Sequence, residues 1–395
     1  FTAMHKFKIS ICIPTFNRGE YLDWQLNQFL NLKDKVKDWE FVISSNGSTD
    51  NTKAVIKKYQ TSLNIIFHEF SNNLGSVINY KKTFDLATSD VVTYLADDDF
   101  LDVDAVNTYL KLFDDEKNLA AIFAPWKYLN AVDLTFGPLF YNLKDDVIIK
   151  QHDFLSTIAL ILENHIFPEI FLIKREIALT FLPSDNSVVF EYFPWCAQII
   201  KSGTVVFAKH PFYYSITSHP NDKNLPRDQF GTSVIKSSWD RYRGGFEIFL
   251  GLARTQHHIS DDILNLLHSK LNSFTLDRML QALKFNLLSG NFIESYWIFL
   301  RISSHLNNYI VDIEIDFKML IDLASLDYAN QEINPQKSIY LSNDIPPKVR
   351  EFACKFSPKK FNDNAELASQ EKGLELSDLL YDSYTKYQNQ LDFLN

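Results

Sequence analysis

Cysteine, methionine and glycine are scarce in this chain of 395 residues, numbering 3, 3 and 11. Cys12, Cys196 and Cys354 lie far apart and form no CxxC pair, which argues against a disulfide scaffold or a structural zinc module and fits a reducing compartment. No stretch approaches the roughly 18 consecutive apolar residues of a membrane-spanning helix. Runs of Lys and Arg are absent too, and 39 Lys+Arg against 49 Asp+Glu leave a net charge of -10. Neither a nucleic-acid-binding face nor a basic anchor on anionic lipid is therefore expected. The opening Phe1-Thr2-Ala3-Met4 lacks the charged-then-apolar pattern of a signal peptide and reads as a cloning remnant before Met4. The expectation is a cytoplasmic protein.

What the chain does have is a globular balance, 46% hydrophobic and 22% charged. Its length suggests about two to three domains. The 33 Phe and 18 Tyr are read mainly as core filling, although aromatic rings also suit sugar-binding clefts.

Through about residue 125, short apolar strands alternate with helical patterns, the mark of βαβ units and a mostly parallel sheet. Strands are expected at 8–14, 41–43, 65–67, 91–95 and 120–123. A helix carrying Leu22, Leu26, Phe29 and Leu30 on one face follows the first strand. Residues 130–225 look mixed, with a helix near 154–162 and a strand near 170–173. Beyond about Trp239 the pattern turns helical, with an N-cap at Ser260-Asp261-Asp262 and a helix closed by Gly290. The expected division is an α/β domain over 5–228 and an all-α domain over 229–395. In open α/β sheets a ligand sits beyond the carboxyl ends of the strands, where the polar turns after the first, second and fourth strands fall.

Asp97, Asp98 and Asp99 follow a buried strand directly. Adjacent carboxylates repel one another and stay ionised where solvent or a cation lies between them. Mn²⁺ or Mg²⁺ with nucleotide phosphates suits them, while a solvated acidic turn before the next helix, shared with Asp102 and Asp104, is the plainer reading.

Four elements occur in order: Ile13-Pro14-Thr15-Phe16-Asn17-Arg18, Ser45-Asn46-Gly47-Ser48-Thr49-Asp50, Asn73-Leu74-Gly75 with Asn79, and Tyr94-Leu95-Ala96-Asp97-Asp98-Asp99. This ordered set resembles the amino-terminal half of the family 2, GT-A fold glycosyltransferases, over about residues 5–220. The resemblance implies that the turns Pro14–Arg18 and Ser45–Asp50, with Asn73, Gly75 and Asn79, hold the base and ribose of a nucleotide sugar. It implies that the aspartates match the Asp-x-Asp element, whose first acid falls on Ala96 when the following hydrophobic residue is aligned. Asp98 is then the direct metal ligand, with Asp97 and Asp99 toward ribose, water or sugar, and Asp99 also counted among the metal residues. Ser45 stands where the family usually has an acid, and no separate QxxRW element is present, which argues against a processive synthase.

The resemblance further places Glu191, in Val189-Phe190-Glu191-Tyr192, at the position of the catalytic base, and His219 at the diphosphate or metal. Trp195 is included with the nucleotide-sugar set; like Trp126 it is a candidate for stacking on a sugar or for the core. Asp185 is the alternative base, and His257-His258 reads as a loop. The implied activity is inverting transfer of one sugar, with a UDP-sugar as the expected donor, to a hydroxyl of a saccharide or lipid-linked glycan. Bacterial surface polysaccharide is the expected setting, and peripheral membrane association stays open. Two rivals remain. A sugar-phosphate nucleotidyltransferase needs a glycine-rich basic loop after the first strand, where only Gly19 occurs; a non-catalytic scaffold would keep the fold alone. The stripe Leu376, Leu380, Tyr384, Tyr387 and Leu391 suggests a homo-oligomer through the carboxy-terminal helices.

Overall fold

The computed structural model describes residues 7–181, 191–222, 243–256, 259–303, 317–333, 339–341 and 345–362. β1 (Ile9–Thr15), β2 (Trp39–Ser45), β3 (Ile65–Glu69) and β4 (Val91–Tyr94) form a parallel set joined through α1 (Gly19–Asn31), α2 (Thr52–Tyr59) and α3 (Ser76–Leu86). β2 is buried along its whole length and β1 everywhere except half-buried Pro14. Strands covered on both faces read as apolar runs rather than alternating patterns, which made this half legible.

The chain continues through β5 (Phe100–Leu101), α4 (Val103–Asp115), β6 (Leu119–Phe123), β7 (Trp126–Asn130), β8 (Thr135–Leu139), β9 (Val147–Ile149), α5 (Phe154–Asn164), β10 (Phe171–Lys174), α6 (Arg175–Ala178), α7 (Tyr192–Ser202), β11 (Thr204–Phe207) and β12 (Tyr213–Ser218). The main sheet has the order β3-β2-β1-β4-β10-β6-β11-β9, with β10 antiparallel between β4 and β6. A second sheet, β5-β12-β7-β8, stands apart from it. Two of its strands, β8 and β12, lie in the stretch that looked mixed. Its strands are short and partly exposed, and β8 contains Gly137 and Pro138, so no clear period marks it.

By packing, the described residues form two units: residues 7–222 with 243–271, and residues 272–362. Helix Arg243–Gln256 thus belongs with the first unit. In the second unit Leu283, Leu287, Phe292, Leu323 and Phe361 share one core. Asp327 accepts the amides of Phe292 and Ile293 at the start of helix Phe292–Ile302 and pairs with Lys360 at 2.7 Å. Negative charge at a helix amino end is favourable, and Lys360 compensates its burial. A pair of two-residue parallel strands, Ile339–Tyr340 and Phe361–Asn362, accompanies the helices. Gly290 has φ +69°, the left-handed cap expected of it, and a Cβ there would lie 2.6 Å from the Phe356 carbonyl. Among the described residues no helix is long and apolar enough to cross a membrane. The stripe from Leu376 to Leu391, Asp185 and His257-His258 lie outside the described residues.

One buried carboxylate braces the amino ends of the strands. Glu40 on β2 accepts the Ser10 hydroxyl at 2.7 Å, and the amide and hydroxyl of Thr88 at 2.9 and 2.6 Å. Glu40→Ala would remove the acceptor of the buried Ser10 hydroxyl and loosen exposed Thr88 from the strand. We expect a loss of about 2 kcal/mol in urea unfolding, with the secondary structure unchanged by circular dichroism at permissive temperature.

Candidate active site

The turn after β1 and the turn after β2 are zipped together. Asn17 takes φ 52°, a left-handed conformation that asparagine tolerates better than most residues. Its side-chain oxygen accepts the Thr49 amide at 2.7 Å, and its own amide donates to the Ser48 hydroxyl at 3.0 Å. Asn46 extends the seam: its side chain donates to the Asn73 side chain and the Gly75 carbonyl and accepts the Leu74 amide. Asn79 donates to the Thr15 carbonyl at 3.3 Å. At Gly47, φ +72°, a Cβ would lie 2.6 Å from Asn72 backbone, so only glycine lets the two loops meet. Ser45 is buried and bonded to the Ser48 hydroxyl, whereas Phe16 is 40% exposed at the tip of the first turn. Pro14, Thr15, Phe16, Asn17, Arg18, Ser45, Asn46, Asn73, Gly75 and Asn79 are thus gathered at one edge of the sheet.

The acidic turn closes on Arg18. Its Nε lies 3.1 Å from Asp97, and Nη2 bonds Asp98. Asp97 also accepts the Thr15 hydroxyl at 2.6 Å. Burial pushes the Asp97 carboxyl up to about 7, with Arg18 pulling it down and Asp98 adding to the rise. Burial works against the Arg18 cation, but Asp97 and then Asp98 outweigh it and hold its pKa above the ordinary value. Asp99 faces elsewhere: Tyr213 donates to it at 2.8 Å and the Ile216 amide at 2.8 Å, both from β12. Asp102 caps α4 and accepts the Tyr214 hydroxyl, as the plainer reading of the acidic run foresaw.

Several expected roles change here. The three residues named for a metal do not converge as a ligand set: Asp98 is held by Arg18, Asp99 by β12, and the His219 ring packs edge-on against Tyr21 and Trp24 of α1. Among the described residues no three His, Cys, Asp or Glu side chains group to hold an ion. In this arrangement the side chains do not fit a divalent metal. Asp50 belongs to the fold rather than to a ligand, because its oxygens take the Gly19 amide and the Thr52 amide and hydroxyl. Burial alone would raise its pKa, but the Thr52 and Gly19 donors more than offset that and leave it lowered. Trp195 is 5% exposed and stacks on Phe181 at 4.6 Å and Tyr80 at 5.7 Å. It fills the core. Glu191 immediately precedes α7 and makes no side-chain cap to that helix.

Three residues escaped the sequence reading. Gln25, fully buried on the apolar face of α1, donates to the carbonyls of Ala96 and Asp99 and so holds the acidic turn. Its signal was a polar residue among Leu22, Leu26 and Phe29. Tyr213 bonds both Asp99 and the Ala96 amide. Glu169, just ahead of β10, accepts the Trp126 indole N–H at 2.7 Å, and burial pushes its carboxyl up to about 7. Nothing around Glu169 in the sequence marks it. A groove of about 480 Å³ lined by Glu20, Asp23, Lys58 and Asn221 lies beside α1 and α2, and none of the strand-end residues lines it.

Residues 10–182 match the model of the family described as Glycosyl transferase family 2. The "Uncharacterized glycosyltransferase MG060" of Mycoplasma genitalium is 29% identical over 167 residues, 40% of this chain and 56% of that protein. The abequosyltransferase RfbV of Salmonella typhimurium is 39% identical over 107 residues, 26% of this chain and 32% of its own length. The chain therefore spans little more than half the length of the first relatives it matches. The S. aureus TarS structure in complex with UDP-GlcNAc aligns with a TM-score of 0.46 at 13% identity, covering 80% of this chain and 90% of that one. Residues 10–182 of the chain are thus similar to glycosyl transferase family 2, and the fold that carries them is an α/β, mainly parallel sheet.

Proposed function

We propose that this protein is a cytoplasmic glycosyltransferase that moves one sugar from a nucleotide-diphosphate donor, a UDP-sugar, to a hydroxyl of a glycan acceptor, with inversion. A bacterial surface polysaccharide is the proposed setting. The observation that carries the reading is the convergence of four separated motifs at the carboxyl edge of the sheet, locked by the bonds of Thr15 and Arg18 to Asp97 and Asp98.

That edge can do three things chemically. Phe16, exposed on the first turn, offers a flat face to a nucleobase. Arg18 supplies a fixed cation near a departing diphosphate, and a planar guanidinium suits phosphate oxygens. The zipped turns fix these groups through hydrogen bonds of their own, so little ordering entropy remains for the donor to lose. The remaining need is a carboxylate to accept the acceptor proton as the new bond forms; Glu191 is the one put forward by the sequence. A sheet edge this polar and this rigid favours catalysis over a bare scaffold, and the single glycine after β1 disfavours a nucleotidyltransferase loop.

A nucleotide-release assay across UDP-, GDP- and dTDP-sugars tests the reading. Release of nucleoside diphosphate with a UDP-sugar is the expected result. Pyrophosphate from a sugar phosphate and a nucleoside triphosphate would select the nucleotidyltransferase, and silence with every donor would select the scaffold.

Use of Mn²⁺ or Mg²⁺ rests on the acidic run and the family, whereas in the geometry Arg18 already holds Asp97 and Asp98. An ion at this turn competes with the guanidinium. Calorimetric titration with Mn²⁺ is therefore expected to show tighter binding to Arg18→Gln than to the wild-type chain. Equal affinity in both would separate the ion from Asp98.

A further inference from the structure

β10 is the odd strand of the main sheet, and its direction matters. It runs antiparallel to β4 with Ile173 opposite Val92 and Lys174 opposite Val91. Carried on, that register sets Glu169 level with Ala96, next to the acidic turn. The ladder toward β6 is unbroken there, since the Ala124 amide donates to the Ile170 carbonyl at 3.1 Å. A strand running the other way thus brings its amino end, not its carboxyl end, to the ligand edge.

The surroundings of Glu169 are aromatic. Trp126 and Tyr128, both partly exposed, lie with ring centroids 4.6 Å apart. Phe140 stacks on Trp126 at 4.4 Å and backs it. Glu169 as a residue is half-buried, and among the described residues its hydrogen bond is the one from Trp126. One carboxylate oxygen is thus fixed by the indole, and the other is left for a ligand. Flat aromatic surface beside a carboxylate is chemistry suited to a sugar, whose C–H face packs on rings while a hydroxyl meets the acid.

We infer that Glu169, rather than Glu191, is the general base of the transfer, receiving the proton of a saccharide hydroxyl seated beside Trp126 and Tyr128. The inference rests on the glycosyl-transfer reading above. In the step, the acceptor oxygen forms a bond to the anomeric carbon as the bond from that carbon to the diphosphate oxygen breaks. The electron pair leaves with the nucleoside diphosphate, and the hydroxyl proton passes to a Glu169 oxygen. A base anchored to the sheet is held more precisely than one ahead of a helix, as Glu191 is.

Its acidity agrees with the role. Burial raises the carboxyl to about 7 and the Trp126 N–H lowers it, which places it near an operating pH where a base is most effective. The ionisable groups facing it are Tyr128 on β7, Tyr141, and Tyr192 at the start of α7, beside which Glu191 lies. Burial raises all three tyrosines, so they stay neutral across this range.

The test uses the full chain with the UDP-sugar that turns over and methyl glycosides as acceptors. Glu169→Gln should lose ~10²–10⁴-fold in kcat while UDP affinity by calorimetry stays constant. The wild-type rate should rise with pH through about 7 as the carboxyl ionises, and that rise should vanish in Glu169→Gln. Trp126→Phe removes the donor that favours the ionised form, so its rise should move to higher pH; this readout holds even if Glu169→Gln folds poorly. Wild-type kcat in Glu169→Gln, an unmoved profile in Trp126→Phe, or the full loss appearing in Glu191→Gln instead would overturn the assignment while leaving glycosyl transfer intact. No turnover with any donor would take both down together.

Discussion

The bond network between Arg18 and the aspartates after β4 is the constraint on which the rest of the site depends. Arg18 follows the first strand, and Asp97 and Asp98 follow the fourth. Two carboxylates brought side by side at the end of a buried strand repel each other and lose solvation; a guanidinium between them offsets both. The neighbouring features act on the same joint. Thr15 donates to Asp97 from the strand below, Gln25 holds the turn by its carbonyls, and Tyr21 lies under the Arg18 guanidinium at 4.8 Å. The loop after the second strand and helix α3 then lean on Thr15 through Asn46 and Asn79. The edge is a single hydrogen-bonded assembly drawn from positions dispersed over roughly eighty residues of sequence.

The second sheet gives this assembly its far wall. β12 places the Tyr213 hydroxyl and the Ile216 amide on Asp99, so the last acid of the run joins the two sheets. Adjacent aspartates consequently have different duties. Asp97 and Asp98 meet a cation, Asp99 meets neutral donors, and Asp102 caps a helix.

Much of this was legible beforehand, for identifiable reasons. β1 and β2 are covered on both faces, so their apolar runs stood out, and the polar turns at their ends carried the family pattern. What failed to show was anything fixed by tertiary placement. Asp50 looked like a ligand because its residue type and position suit one, but its oxygens serve the amino ends of α1 and α2. Trp195 offered a stacking ring in sequence and a packed one in space. Glu169 had no motif, because a residue ahead of an antiparallel strand is not where the usual rule for parallel sheets looks.

The insertion of β10 has a consequence for how the molecule is made. Its partners β4 and β6 are both complete by Phe123, yet the strand between them begins only at Phe171. A chain emerging from the ribosome therefore holds, for nearly fifty residues of synthesis, a sheet with an unfilled slot at its centre rather than at its rim. The two facing ladders of amides and carbonyls are open to the wrong strand during that interval, the hazard that exposed edges always carry. The entry of β10 closes that slot, while β11 and β12, which complete the two sheets, are still to be made, and with β12 the partners of Asp99.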